Sequence, residues 1–139
     1  MVKYLLDTNI ISEPIRPIPN QTVVEKINLH KLEIAVSTVT IQELLYGLWR
    51  LPKSKKRQVL DKYINQSVLS LPILDYDLKS AQYQAQERAR LSKIGRVTPF
   101  IDGQIASIAF SNNLILVTNN VDDFSYFDGL VIENWFIKN

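Results

Sequence analysis

Leu114-Ile115-Leu116-Val117-Thr118, followed at once by Asn119-Asn120, is the stretch whose reading decides the fold. Its run of aliphatic residues between Asn pairs reads as a short strand. The run is continuous rather than alternating, so the strand is covered on both faces, as in a parallel sheet between helix layers. Upstream, Thr98-Pro99 marks a helix start, a cap with proline in the first turn, and that helix runs to about Asn112. Downstream, residues 130–133 (LVIE) form a last strand. Toward the N-terminus, residues 2–6 (VKYLL), 33–37 (EIAVS) and 68–74 (VLSLPIL) read as further strands, the third weakened by Pro72. Helical spacing occupies residues 20–29 and about 40–50, where Leu44, Leu45, Leu48 and Trp49 share a side. A basic helix runs from about Ser54 to Asn65, and a long polar helix is capped by Asp75 or Asp77 and ended by Gly95. Pro14 to Pro19 is a loop. Strands alternating with helices predict an α/β fold of three layers, α/β/α, around a central, mostly parallel sheet. No linker or repeat interrupts the pattern, so residues 1–139 read as a single domain.

The chain has 139 residues, 46% hydrophobic and 22% charged, with a net charge of +2. That is enough chain for a proper core and too ordinary a composition for a disordered tail. There is no cysteine and one histidine, His30. Disulfide frameworks, thiolate metal sites, Cys nucleophiles and multi-His metal sites are therefore excluded. The charge permits a nucleic-acid partner without arguing for one. No run approaches the roughly 18 apolar residues of a membrane span, and the N-terminal run is too short for a signal peptide. The reading is of a cytoplasmic protein with no membrane partner.

In open sheets of this kind, ligands bind beyond the carboxyl ends of the strands. Asp7 follows the first strand directly, and Thr118-Asn119-Asn120 follow the fourth. Ser37 and Thr38 follow the second, with Glu43 one helical turn further on, and Asp102 lies in the first turn of the helix after Pro99. Each residue has an ordinary explanation. Asp7 can cap a turn, and Thr40-Ile41-Gln42-Glu43 matches a capping box. Asp102 gains from the helix dipole, and Asn119-Asn120 suits a turn. Together they describe something else. Asp7, Glu43, Asp102 and Asn120 converge on one end of the sheet. Two carboxylates about 4 Å apart repel by about 4 kcal/mol at an effective dielectric of 20. Such a cluster raises its pKa values or collects a cation. An all-oxygen set with open positions suits Mg²⁺ or Mn²⁺ and the chemistry of phosphoryl groups.

Four ordered blocks carry a resemblance. They are Leu5-Leu6-Asp7-Thr8-Asn9, Ser37-Thr38-Val39-Thr40-Ile41-Gln42-Glu43-Leu44, Asp102-Gly103-Gln104-Ile105-Ala106 and Leu116 through Phe124, with Gly129-Leu130-Val131-Ile132-Glu133-Asn134-Trp135 as the closing strand. At these residues the chain resembles the PIN-domain ribonucleases, and among them the toxins of VapBC-type toxin–antitoxin pairs, especially the FitB-like branch. The resemblance implies a PIN fold and Mg²⁺- or Mn²⁺-dependent endonucleolytic cleavage of RNA. By motif, Asp7, Glu43 and Asp102 take the places of the family's core acids and of the metal ligands. The fourth place, often Asp, falls on Asn120, which is left to orient a water or the phosphate. Asp122 or Asp123 is a possible substitute. Asn9, Ser37 and Thr118 fit roles behind the carboxylates, orienting them. The resemblance also implies a homodimer and a small VapB-like antitoxin, with operator DNA touched only through that antitoxin.

Among basic residues, Lys53, Lys55, Lys56, Arg57 and Lys62 read as a solvated helix face. Arg88, Arg90 and Lys93 read as facing water. Arg96, in the loop before the helix of Asp102, is the candidate RNA contact. Leu45, Tyr46 and Trp49 form either core or an exposed dimer patch, and helical spacing alone favours core. Three other readings compete. A phosphatase of the haloacid-dehalogenase type resembles the first strand and Asp7, but its second acid would fall on Asn9. A Ser–His–Asp hydrolase would need His30, which lies in a helical segment far from any serine elbow. A catalytically silent PIN-like module that binds RNA or protein stays open, because one acid is missing.

Overall fold

The computed structural model describes residues 1–138. Five strands, β1 (Tyr4–Leu6), β2 (Ile34–Ser37), β3 (Ile73–Leu74), β4 (Ile115–Val117) and β5 (Ile132–Glu133), form one sheet in the order β3-β2-β1-β4-β5. Every pairing is parallel. The helices are α1 (Thr8–Ile11), α2 (Gln21–Leu29), α3 (Thr38–Arg50), α4 (Lys55–Gln66), α5 (Leu78–Lys93), α6 (Phe100–Ser111) and α7 (Val121–Phe124).

The strands are short, and alternate residues feed opposite layers. Leu6, Val36 and Val117 join Ile10, Leu44, Leu48, Ile64 and Trp135 on one face. Leu5, Ala35 and Leu116 join Leu91, Ile105, Ile108, Phe124 and Phe127 on the other. The register sets Leu5 beside Ala35 on one side and Leu116 on the other. This double burial is what the continuous apolar runs required.

The strand order also fixes where a ligand can sit. From β1 the chain winds outward through β2 and β3, then returns to place β4 and β5 on the other side of β1. The crevice therefore opens between the carboxyl ends of β1 and β4. Asp7 leaves β1 there, its N–H donating to the Val117 carbonyl at 2.9 Å.

Several expected boundaries move. Residues 68–74 are not one strand. Val68–Ser70 form a 3₁₀ turn and only Ile73–Leu74 pair. Pro72 has no N–H to donate, though its carbonyl accepts from Val36 at 3.1 Å. Helix α3 starts at Thr38 rather than near residue 40, because the Ser37 hydroxyl accepts the Thr40 N–H at 3.0 Å. Asp77, not Asp75, caps α5, accepting from Ser80. Helix α6 begins at Phe100 with Pro99 in the cap position, leaving Thr98 outside. Tyr46 and Trp49 are exposed, not core. His30 caps the end of α2 and pairs with Glu33 at 2.8 Å, and among the described residues no serine hydrogen-bonds to its ring. Arg90 does not simply face water, since it holds Glu87 through two hydrogen bonds of 2.9 and 2.8 Å.

Candidate active site

Asp7 is only 6% exposed. As the N-cap of α1 it accepts the Thr8 N–H on Oδ1 at 2.8 Å. Its Oδ2 accepts the hydroxyl of Thr118 at 2.8 Å. Thr118 is itself fully buried and accepts the Asn120 N–H at 2.9 Å. Burial pushes the Asp7 carboxyl above its ordinary range, the bonds from Thr118 and Thr8 draw it back, and the charge of Glu43 raises it further.

The capping-box reading of Glu43 is overturned. Ser37 is the cap, so Glu43 lies in the second turn of α3, beyond reach of the cap amide. Its Oε1 instead accepts the hydroxyl of Thr8 at 2.5 Å, and the same hydroxyl lies 3.2 Å from that of Thr40. Thr8 thus ties the start of α1 to α3 and fixes Glu43 beside Asp7. Sequence reasoning passed over Thr8. Its only signal is its place immediately after Asp7.

Asp102, in the first turn of α6, shows how tightly charge collects here. Its carboxyl is pushed up to about 6, first by burial and then by the charges of Asp7, Asp123 and Glu43. Acids from four separate elements therefore share one locality. The ion pairs among the described residues lie elsewhere: Lys3–Glu33, Arg16–Glu13, His30–Glu33 and Arg90–Glu87. The donor set is all oxygen and carries an uncompensated negative charge, which fits a hard divalent cation. As positioned, no three acidic or histidine side chains among the described residues are grouped closely enough to hold an ion. Asp7 and Glu43 each take a threonine hydroxyl as partner.

The fourth position resolves into a pair. The side chain of Asn120 donates from Nδ2 to Oδ2 of Asp123 at 2.7 Å. Asp123, one turn into α7, is the acid whose charge reaches Asp102; Asp122 does not figure in that field. Of the three residues expected behind the carboxylates, Thr118 touches Asp7 directly. Ser37 acts on the helix that carries Glu43, and Asn9 accepts the Asn119 N–H at 3.4 Å, bracing the loop after β4. Neither Ser37 nor Asn9 contacts a carboxylate through the hydrogen bonds observed. Arg96 stacks on Tyr126, its guanidinium 3.3 Å from the ring centre, and lines a cavity with Asp122 and Asp123.

A PIN-domain profile matches residues 4–130. The chain belongs to the PIN-domain family. This PIN domain is 37% identical over 138 residues to the tRNA(fMet)-specific endonuclease VapC of Shigella flexneri, covering 97% of this chain and 99% of that one. It is 37% identical over 135 residues to the toxin FitB of Neisseria gonorrhoeae, covering 94% and 97%. The DNA-bound VapBC crystal structure from Salmonella typhimurium superposes on it with a TM-score of 0.84 at 33% identity, covering 97% and 99%. The all-parallel five-stranded sheet is thus the PIN fold, and the expectation of a mostly parallel sheet is met. PIN-domain ribonucleases generally depend on divalent metal. Among the described residues no helix of this PIN domain is long and apolar enough to cross a membrane.

Proposed function

We propose that this chain, as one PIN domain over its 139 residues, is an endoribonuclease toxin of a type II toxin–antitoxin pair, acting on RNA in the cytoplasm. One observation carries the reading. Asp102 is half-buried within the field of Asp7, Asp123 and Glu43 from other elements, and among the described residues no cation is ion-paired to any of them. Such a cluster is costly to fold and has an evident use in gathering Mg²⁺ or Mn²⁺ beside a phosphodiester. The relatives' names, an endonuclease VapC and a toxin FitB, point the same way.

Asp7, Glu43 and Asp102 would hold the ion, with Asp123 beside them. When bound, the ion supplies charge neutralisation at the phosphate and makes water more acidic. The chain's own residues do the positioning. Thr118 and the Thr8 N–H aim the two oxygens of Asp7. The Thr8 hydroxyl holds Glu43, leaving its other oxygen for the ion or the attacking water. Asn120 steadies Asp123 and offers its remaining polar atoms to water or phosphate. Arg96 contacts the RNA backbone from the rim. A cognate VapB-like antitoxin would neutralise the toxin, which acts as a homodimer and meets operator DNA only through that partner. A VapBC relative was crystallised with DNA.

Asp7→Asn tests the assignment. Asn also caps helices, so the fold survives. RNA cleavage should stop in the variant, and in the wild type should cease with EDTA and return with Mn²⁺. Cleavage by Asp7→Asn at the wild-type rate would remove Asp7 from the site. RNA binding without cleavage under either metal would make the chain a silent binding module instead.

A further inference from the structure

Two cavities adjoin on the flank of the acidic cluster. The nearer, about 220 Å³, is lined by Arg96, Thr98, Pro99, Asp122, Asp123 and Tyr126. The farther, about 660 Å³, is lined by Arg88, Ala89, Ser92, Arg96 and Phe100 among others. They share Arg96, Val97 and Thr98, so they form one trough that leads away from the acids along α5. Each holds a guanidinium on an aromatic ring: Arg96 on Tyr126 at 3.3 Å and Arg88 on Phe100 at 5.1 Å from the ring centres. Both residues are exposed, Tyr126 at 40% and Phe100 at 53%, so the ring face away from each guanidinium is the one offered for stacking.

The backbones that carry these rings are tied down from behind. Arg90 donates to the Tyr126 carbonyl at 2.6 Å while gripping the buried Glu87. Glu87 also accepts the Asp128 N–H at 2.6 Å, and the Tyr83 hydroxyl donates to the Asp128 carbonyl at 2.6 Å. On the other side, the buried Gln84 donates to the Phe100 carbonyl at 3.1 Å and accepts from the Tyr76 hydroxyl at 2.6 Å. Two side chains of α5, Arg90 and Gln84, therefore hold the backbones of the two aromatics, and Glu87 and Tyr83 hold the neighbouring Asp128. A ring carried on an anchored backbone has less freedom to lose on binding a planar partner.

Alternating cations and stacking faces suit one class of ligand. Unpaired bases stack on exposed rings and their phosphates pair with guanidinium groups, whereas bases already paired in a duplex have no face to offer. The cations also answer an electrostatic need, since the acidic cluster at the end of the trough repels an RNA strand. We propose that this trough binds the single-stranded RNA flanking the scissile bond, Tyr126 and Phe100 stacking bases while Arg96 and Arg88 take phosphates. The proposal deepens the ribonuclease reading and rests on it.

Binding is read by the anisotropy of a fluorescein-labelled, 12-nucleotide single-stranded RNA of mixed sequence in EDTA, and cleavage of the same RNA is followed with Mn²⁺. Tyr126→Leu and Arg96→Ala should each weaken binding about tenfold and raise KM similarly, with kcat within about twofold. Arg88→Ala should act in the same direction. Arg96→Ala should also flatten the salt dependence by about 0.7 in the log–log slope, as loss of one phosphate contact on a single strand requires. Arg57→Ala, on α4, is the control, and a 12-base-pair RNA duplex should not distinguish Tyr126→Leu from wild type. If the wild type cleaves while the trough variants bind and cleave no worse than Arg57→Ala, the trough is not the RNA path. If these variants leave RNA binding intact but convert a dimer to a monomer in sedimentation, a second copy of the chain occupies the trough and the proposal fails. Wild type that binds in the trough but cleaves under neither metal sinks the nuclease reading alone, and wild type that neither binds nor cleaves sinks both.

Discussion

Replacing Asp102 with Asn should make the protein more stable while abolishing cleavage. The folded carboxyl is raised from 3.8 to about 6. If wholly transferred to folding, that rise is worth about 3 kcal/mol against the charged form. The carboxylate is only half-buried, so solvent screening cuts the cost to about 1.5 kcal/mol. Asn forfeits about 0.5 kcal/mol of favourable interaction with the α6 dipole. The net gain is about 1 kcal/mol, or about 3 °C in Tm for a chain of this size. The sign follows from linkage. The folded pKa lies above the unfolded one, so the penalty is absent below about pH 3.8, grows as pH rises and is complete above about 6. Thermal unfolding in EDTA should therefore show Asp102→Asn melting about 3 °C above wild type at pH 8, with the advantage nearly gone at pH 4. Millimolar Mn²⁺ should raise the wild-type Tm and leave the variant unmoved, reversing their order. A variant no more stable than wild type at pH 8, or a gap that ignores pH, would refute the idea that burial, and after it the charges of its acidic neighbours, strain the ionised form of Asp102.

Gly103→Ala should disrupt the same turn by sterics. Its Cβ would stand 2.6 Å from Nε2 of Gln84, a buried side chain tied at both ends, so the clash is not relieved by a rotamer change. Overpacking of this kind costs about 1–3 kcal/mol; a melting temperature within 1 °C of wild type would contradict it. Thr118→Val keeps the shape and removes the hydroxyl that serves Asp7 and the Asn120 N–H. We expect a loss of about 1–3 kcal/mol in denaturant unfolding and at least a tenfold drop in cleavage rate. Because that hydroxyl bond lowers the Asp7 pKa, its removal should also shift the acid limb of the pH–rate profile upward. An unshifted limb would detach Thr118 from the chemistry.

What the sequence made legible was set by the range of the interaction involved. The strand 114–118 was readable because burial on both faces writes itself as a local apolar run, and its observed core is Ile115–Val117. The third strand was overdrawn because apolar content alone does not distinguish a strand from a 3₁₀ turn packed by Val68. Tyr46 and Trp49 were misplaced because helical spacing shows which residues share a face, not whether anything covers it. In the site, Asp7 and Asp102 were visible as polar residues at element ends. The partner of Glu43 was not, since Thr8 lies 35 residues away and only the fold brings them together. Likewise Arg90 reads from the sequence as facing water, because the Glu87 it grips serves the distant loop around Asp128.

The substitution of Asn at 120 follows from the same electrostatics. Asn120 donates to Asp123 at 2.7 Å. Aspartate at 120 in that arrangement would set two carboxylates in hydrogen-bond contact, a repulsion of several kcal/mol even at an effective dielectric of 20 unless one kept its proton. A carboxylate that keeps its proton adds no charge to the site. An amide at 120 instead supplies a donor to Asp123, the acid whose charge reaches Asp102. On this reasoning the proposed site keeps a fourth acidic residue one turn further along the chain, on Asp123, which accepts a hydrogen bond from Asn120.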